Sequence, residues 1–162
     1  MLTSALRTRS SAPYIEFEHR LTSKISAISP FVDRFMRFVN PFMEKFVDAN
    51  GSEPDESVLD IELALREALG NAIIHGNRED RTKFVYVTCR CQTDGEVIIS
   101  VRDEGQGFDP RTTPDPTDPG KRLLPYGRGI HVMRALMDEV RFAENGKVVQ
   151  MRKMLARHSP NR

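Results

Sequence analysis

The order of strand and helix patterns along the chain predicts an α+β fold. We expect a two-layer sandwich in which helices cover one face of a mixed, mostly antiparallel sheet. Two strand patterns, residues 84–91 and 97–101, flank the turn Asp94-Gly95, and a second pair flanks Asn145-Gly146. Such turns are typical of hairpins, which join antiparallel strands. Because helical patterns are grouped between the strands, a doubly wound parallel sheet is not expected.

The composition is that of one globular domain. Of the 162 residues, 39% are hydrophobic and 29% are charged, and the net charge is +1. This near-neutral charge argues against direct binding of nucleic acid or of an anionic membrane, and no apolar run is long enough to cross a bilayer. We expect the domain to span residues 14–155, with a disordered tail at 1–13 and a second tail at 156–162.

The two cysteines, Cys89 and Cys91, stand one residue apart in a predicted strand. Their side chains would point to the same face, which is unfavourable for a disulfide, and two thiols fall short of a metal-site pattern. We therefore predict reduced thiols in a cytoplasmic protein.

The first predicted elements are a strand, residues 14–21, and an aromatic helix that starts at Ser29-Pro30. The stripe on this helix predicts core packing, with a partner surface as the alternative. We expect Pro41 to kink or divide the helix and Asn50-Gly51-Ser52 to end it. The stripe consists of Phe31, Phe35, Phe38, Val39, Phe42, Phe46 and Val47.

The sequence pattern of residues 55–75 predicts the central helix, with Asp55 or Ser57 as a candidate N-cap and Gly76 as the C-terminal stop. Its residues are mostly good helix formers. Five apolar side chains recur at helical spacing and predict a packing stripe. They are Leu65, Ala68, Leu69, Ala72 and Ile73.

A second face of this helix carries Glu67, Asn71 and His75, which stand four residues apart. A carboxylate, an amide and an imidazole need polar partners if they are covered. From these three residues alone, a solvated polar face and a functional face remain equally open.

The segment from Asp109 to Tyr126 is rich in proline, threonine and aspartate. Long loops of this kind are usually functional or mobile. After it, Gly127-Arg128-Gly129 opens a third helix, and residues 140–143 and 148–154 form the last predicted hairpin. The buried stripe of the third helix is predicted to be Ile130, Met133, Leu136 and Met137.

Two glycine-bearing segments could carry chemistry. In the segment from Asp103 to Gly107, an acid at a strand end can accept a hydrogen bond from a base amino group, and alternate glycines let backbone approach a flat ring. Gly127-Arg128-Gly129 offers free N–H groups and a guanidinium to phosphate. Taken singly, an ordinary turn and a flexible helix entry are common alternatives.

The three segments together resemble the N, G1 and G2 boxes of the Bergerat (GHKL) ATP-binding superfamily, which includes histidine kinases and type II topoisomerases. The resemblance rests on Glu67-x-x-x-Asn71-x-x-x-His75, on Asp103-x-Gly105-x-Gly107, and on Gly127-Arg128-Gly129-Ile130. At this chain length, the sequence is most similar to small anti-sigma factor serine kinases of the RsbW type. The likeness covers residues 14–155.

The resemblance implies ATP and Mg²⁺ as cofactors and assigns residue roles. Glu67 would be the general base for an incoming serine hydroxyl, and Asn71 would hold Mg²⁺. Asp103 would read the adenine amino group. Gly105 and Gly107 would border the base. Gly127, Arg128 and Gly129 would contact phosphate, with Ile130 in the same box, and residues 109–126 would form a lid.

The role of His75 stays open between packing and contact. The lid is unusually rich in Pro and Asp for the family, which puts its closure in question. Its basic residues, Lys121 and Arg122, would either reach phosphate or be solvated.

The resemblance also implies partners: a sigma factor, a phosphorylated anti-anti-sigma factor of the STAS type, and a second copy of the chain in a homodimer. The leading hypothesis is an ATP-dependent protein serine/threonine kinase that acts as an anti-sigma factor. The alternatives are an ATP-binding regulatory module without kinase activity, and a domain that retains the boxes but no longer binds nucleotide.

Overall fold

A computed structural model describes residues 13–46, 56–109 and 128–155. The predicted helix end at Asn50–Ser52, most of both tails, the loop from residue 110 onward and Gly127 lie outside these ranges. The described chain contains five strands and three α-helices. In order, they are β1 (Tyr14–Thr22), α1 (Ile28–Met43), α2 (Glu56–Gly70), β2 (Phe84–Gln92), β3 (Glu96–Arg102), α3 (Arg128–Leu136), β4 (Glu139–Ala143) and β5 (Val148–Met154).

The strands form one sheet in the order β1-β2-β3-β5-β4, and all four pairings are antiparallel. One face is packed under the helices, so the predicted α+β class is confirmed. The register aligns apolar residues in a row across all five strands, and each fully buried member contributes about 1.5–3 kcal/mol. The row is Phe17, Cys89, Ile99, Met151 and Val140.

The opposite face of the sheet is polar. One row across it contains Glu18, Thr88, Ser100, Gln150 and Arg141. Because side chains alternate between faces along a strand, this division fixes the register of every strand.

Helix α1 packs its aromatic stripe into the core, as predicted, although Phe38 is only half-buried and Val47 lies outside the described residues. The ring of Phe35 meets that of Phe17 edge to face at 5.4 Å. The expectation that Pro41 divides the helix was wrong. Helix α1 runs through Pro41 to Met43 and then tightens into one 3₁₀ turn, Glu44–Phe46. Since Pro41 stands in the last turn, few backbone hydrogen bonds depend on it.

Cys89 and Cys91 are free thiols on the buried face of β2, with their sulfur atoms 3.8 Å apart. The hydrogen bond with Cys91, followed by burial, raises the pKa of the Cys89 thiol. The absence of a disulfide between these two residues agrees with the prediction from their spacing.

His19 lies on β1 in contact with two aromatic rings. Its imidazole stacks on Phe31 with ring centroids 5.3 Å apart, and the centroid of the Phe17 ring lies 6.1 Å away. Burial, and then the positive charge of Arg34, lower the pKa of His19 below its ordinary value. The folded state therefore favours the neutral imidazole.

We expect the protein to lose stability as the pH falls from about 7.5 to about 5.5. In the unfolded chain His19 titrates near its ordinary pKa of about 6.5, whereas the folded pKa is lower. The unfolded state therefore binds the proton first, and acid favours it. Urea midpoints measured across this range should fall less steeply for His19→Gln than for the parent. Equal slopes would contradict this assignment.

Within the described ranges, no helix combines the length and the apolar character needed to cross a membrane.

Candidate functional site

The central helix changes its geometry at the predicted functional face. Helix α2 ends at Gly70 and continues as a π-helix, Asn71–Gly76, in which the Asn77 N–H donates to the Ala72 carbonyl over 2.8 Å. The predicted stop at Gly76 is confirmed. Ser57 is the second residue of α2 and so is not its N-cap, and Asp55 lies outside the described residues. Single π-helical turns occur frequently at functional sites.

Glu67, Asn71 and Gly129 meet where α2 packs against the start of α3. A Cβ atom placed on Gly129 would lie 2.8 Å from Glu67 Oε2, and 3.0 Å and 3.2 Å from the Asn71 side-chain nitrogen and oxygen. Both polar side chains are half-buried. They therefore border a small space that the missing side chain of Gly129 keeps open, and they are not part of a fully solvated face.

Helix α3 begins at Arg128, directly beside this space. The first-turn N–H groups of a helix have no intrahelical acceptors, and the helix dipole adds positive potential there. Arg128 is exposed, whereas the Ile130 side chain is buried in the core. Ile130 can thus face a bound anion only through its backbone. Gly127 lies outside the described residues.

The donor set fits a magnesium ion that is shared with a phosphate ligand. The Asn71 amide supplies a hard oxygen atom, which Mg²⁺ prefers, and protein sites commonly use only one or two side chains because phosphate and water supply the rest. Within the described part of the chain, no group of three or more His, Cys, Asp or Glu side chains could hold a metal on its own.

Asp103 forms a second centre at the end of β3. The residue is only 8% exposed, its N–H donates to the Lys147 carbonyl over 3.0 Å, and its Oδ1 accepts the Gly105 N–H over 2.7 Å. Burial raises the pKa of the Asp103 carboxyl, and the Gly105 N–H and Lys147 partly oppose that rise. A nearly buried acid that accepts one N–H from the described residues is suited to accept a further hydrogen bond from a ligand.

Gly76 and Gly105 let the helix end and the loop after β3 interlock around Asp103. A Cβ atom on Gly76 would lie 2.5 Å and 2.7 Å from the two Asp103 carboxylate oxygens. A Cβ atom on Gly105 would overlap the Gly76 carbonyl oxygen and lie 2.8 Å from Asp103 Oδ1. Both glycines are therefore required by close packing, and the π-helix ends directly against the carboxylate.

Gly107 packs against the turn between β4 and β5. It has a φ of 79°, and a Cβ atom there would overlap the Asn145 carbonyl oxygen. The neighbouring Phe108 N–H donates to that same carbonyl over 2.7 Å. Its nearest neighbours thus belong to the hairpin, which holds the loop after β3 in place.

The structure brings the predicted site residues together in two groups joined by the π-helix. Glu67, Asn71 and Gly129 form the first group, and Asp103 and Gly105 form the second. At the α-helical rise of 1.5 Å per residue, Asn71 and Gly76 are separated by no more than about 7.5 Å along the axis. His75 is exposed on the same segment.

Two residues with structural roles here were given none from the sequence. Asn77 is fully buried and bonded at both ends of its amide, and the exposed Glu104 accepts hydrogen bonds from Phe84 N–H and Tyr86 Oη. Asn77 follows Gly76 in the N box, and Glu104 lies inside the G1 box. Their position inside the boxes was the available signal, but their partners are distant in sequence.

Comparison with known proteins places the site in a family context. Residues 36–153 match the family model described as "Histidine kinase-like ATPase domain". An anti-sigma F factor of Heyndrickxia coagulans is 39% identical over 95 residues, which are 56% of this chain and 65% of that protein. The serine-protein kinase RsbW of Bacillus licheniformis is 30% identical over 151 residues, which are 85% of this chain and 89% of that protein.

A third relative, the serine-protein kinase RsbW of Bacillus subtilis (strain 168), is 33% identical over 110 residues. These residues are 62% of this chain and 66% of that protein. The chain thus spans slightly less than two thirds of this relative and of the anti-sigma F factor, and most of the Bacillus licheniformis protein.

Proposed function

Since this chain belongs to the histidine kinase-like ATPase domain family, and within it to the RsbW type, we propose that it is an anti-sigma factor with ATP-dependent protein serine kinase activity. It binds a sigma factor and phosphorylates an anti-anti-sigma protein of the STAS type. The names of its relatives support both parts: some are called anti-sigma F factor and others serine-protein kinase.

The observation that carries the proposal is the meeting of Glu67 and Asn71 at Gly129. Phosphoryl transfer needs a base beside the nucleophile, a ligand for the metal and donors for the phosphate oxygens. A carboxylate, an amide and a helix start in contact supply these three functions within one small space.

In the proposed reaction, Glu67 accepts the proton of the partner's serine hydroxyl. The serine oxygen forms a bond to the γ-phosphorus, the bond from that phosphorus to the bridging oxygen breaks, and ADP and phosphoserine result. Asn71 would hold Mg²⁺, which neutralises charge on the phosphates when bound. Asp103 would accept a hydrogen bond from the adenine amino group, and Arg128 would pair with phosphate oxygens.

A second candidate is a nucleotide-dependent binding module that holds a sigma factor without transferring phosphate. It is favoured by one observation, that several of the relatives are named for sigma-factor binding and not for a kinase. Both candidates include a homodimer, which sedimentation with and without ATP would test.

One experiment separates these candidates. Purified protein is incubated with γ-labelled ATP, Mg²⁺ and a candidate STAS-type partner, and nucleotide binding is measured separately by calorimetry. We expect labelled phosphoserine on the partner. Nucleotide binding without labelled partner would favour the binding module, and no nucleotide binding would exclude both. In the last case ATP with Mg²⁺ would also leave the melting temperature unchanged.

A further inference from the structure

A closed ring of three hydrogen bonds lies beside the Asp103 carboxylate. Asn77 Nδ2 donates to the Phe84 carbonyl over 2.9 Å, and Phe84 N–H donates to Glu104 Oε2 over 2.8 Å. Glu104 N–H closes the ring by donating to Asn77 Oδ1 over 2.8 Å. The ring ties together the end of the π-helix, the start of β2 and the loop after β3.

Asn77 is the one member of this ring whose side chain uses both its donor and its acceptor. It is 0% exposed, and both of its side-chain hydrogen bonds are at least partly buried. A buried amide that loses its partners leaves unsatisfied polar groups behind, which makes such networks sensitive to substitution. The position of the Glu104 backbone therefore depends on Asn77.

The ring adjoins Asp103 from two directions. A Cβ atom on Gly76, which precedes Asn77, would lie 2.5 Å from Asp103 Oδ2, and Asp103 itself directly precedes Glu104 in sequence. The Asp103 Oδ1 atom accepts the Gly105 N–H. The second carboxylate oxygen, Oδ2, accepts no hydrogen bond from the described residues. Gly76 and Gly105, which flank the ring in sequence, thus both contact the Asp103 carboxylate.

We propose that Asn77 is a positioning residue for base selection, because its hydrogen bonds to Phe84 and Glu104 fix the Asp103 carboxylate where it distinguishes an amino group from a carbonyl on a purine. The inference rests on the proposed function, in which Asp103 accepts a hydrogen bond from adenine. Adenine carries an amino donor at its six position, whereas hypoxanthine and guanine carry a carbonyl acceptor there. A carboxylate held in place accepts a hydrogen bond from the amino group of adenine, whereas it is repelled by the carbonyl oxygen of hypoxanthine or guanine.

The test compares ATP with inosine triphosphate, which differs at this amino group. The Kd of the full chain for each nucleotide is measured by calorimetry with Mg²⁺ present, and the ratio of the two is the readout. We expect the parent to prefer ATP and Asn77→Ala to reduce that preference about tenfold or more, because a freed carboxylate can turn away from a carbonyl. If Asn77 had a purely structural role, Asn77→Ala would lower the affinity for both nucleotides by the same factor.

A second variant guards against a failure of Asn77→Ala to fold. Glu104→Ala removes the acceptor for Phe84 N–H from an exposed side chain and should reduce the preference in the same direction by a smaller factor, about threefold. Glu139→Ala is the matched control, since Glu139 accepts hydrogen bonds from two arginines on β4 and β5. It should keep the parent's preference.

Failure of the inference and failure of the proposed function give different results. If the parent prefers ATP and both ring variants keep its preference, the positioning role of Asn77 is overturned and the proposed function stands. If the parent binds ATP and inosine triphosphate equally, the role of Asp103 is overturned along with that of Asn77. A parent that binds neither nucleotide overturns the proposed function and this inference with it.

Discussion

Replacing Glu67 with glutamine is expected to lower the rate of phosphate transfer to the serine-bearing partner by about 10²–10⁴-fold, the usual contribution of a general base. The amide keeps the size of the side chain but cannot take the hydroxyl proton. ATP affinity should change by less than about threefold, since the proposed role concerns the transition state and not nucleotide binding. Single-turnover transfer of label and a separate binding titration measure the two effects.

Glu62→Gln is the matched control for this variant. Glu62 lies on α2 as Glu67 does, but it accepts its hydrogen bonds from Arg66, over 2.9 Å and 3.0 Å. The Glu62→Gln variant makes the same chemical change on the same helix but away from Gly129, so phosphate transfer should continue at the parent's rate. Undiminished transfer by Glu67→Gln would remove Glu67 from the mechanism and leave the nucleotide site unaffected.

Gly129→Ala is expected to weaken ATP binding about tenfold or more. The new methyl group would occupy the space between Glu67 Oε2 and the Asn71 amide, with separations of 2.8–3.2 Å. The overpacking itself costs about 1–3 kcal/mol of folding stability. The loss of space for the ligand lowers ATP affinity, and about 1.4 kcal/mol of binding free energy corresponds to tenfold in Kd. The fold should survive, because alanine is the better helix former at this position in the first turn of α3. Calorimetric titration with ATP and Mg²⁺ provides the measurement.

Gly70→Ala supplies the comparison. Gly70 is the last residue of α2, and an added Cβ atom would meet no atom of the described residues within 4 Å. This variant should bind ATP as the parent does and raise the free energy of unfolding by about 0.5–1 kcal/mol, the gain of alanine over glycine in a helix. Equal weakening of ATP binding in the two variants would contradict the assignment of the space beside Gly129.

The sheet and its helical layer could be predicted from sequence because the signals are local. Asp94-Gly95 and Asn145-Gly146 encode their turns through backbone preferences, and in the structure Gly95, Asn145 and Gly146 adopt the positive φ that such turns require. The alternation of apolar and polar residues along β2 and the aromatic stripe of α1 likewise indicate which side chains are buried. The division of α1 at Pro41 was predicted incorrectly because proline is tolerated near a helix terminus when few hydrogen bonds remain to be lost.

The details of the site depend on contacts between distant segments, which local patterns do not encode. The boxes predicted that Glu67, Asn71 and Gly129 act together, and the structure places them in contact. The change to π-helical geometry at Asn71 has no recognisable sequence signal of its own. Gly76 was correctly predicted to end the helix, but its second role depends on Asp103, which lies on another element.

Chemical modification of the two buried thiols can be used to measure how often the sheet opens. Cys89 and Cys91 are the only cysteines in the chain, and both are buried in β2, between β1 and β3. A thiol-specific reagent can modify them only in molecules whose sheet has opened, so the modification rate reports the free energy of that opening. Since a ligand of the native state suppresses opening by mass action, nucleotides could be ranked on unlabelled, unmutated protein by how far each one slows the reaction.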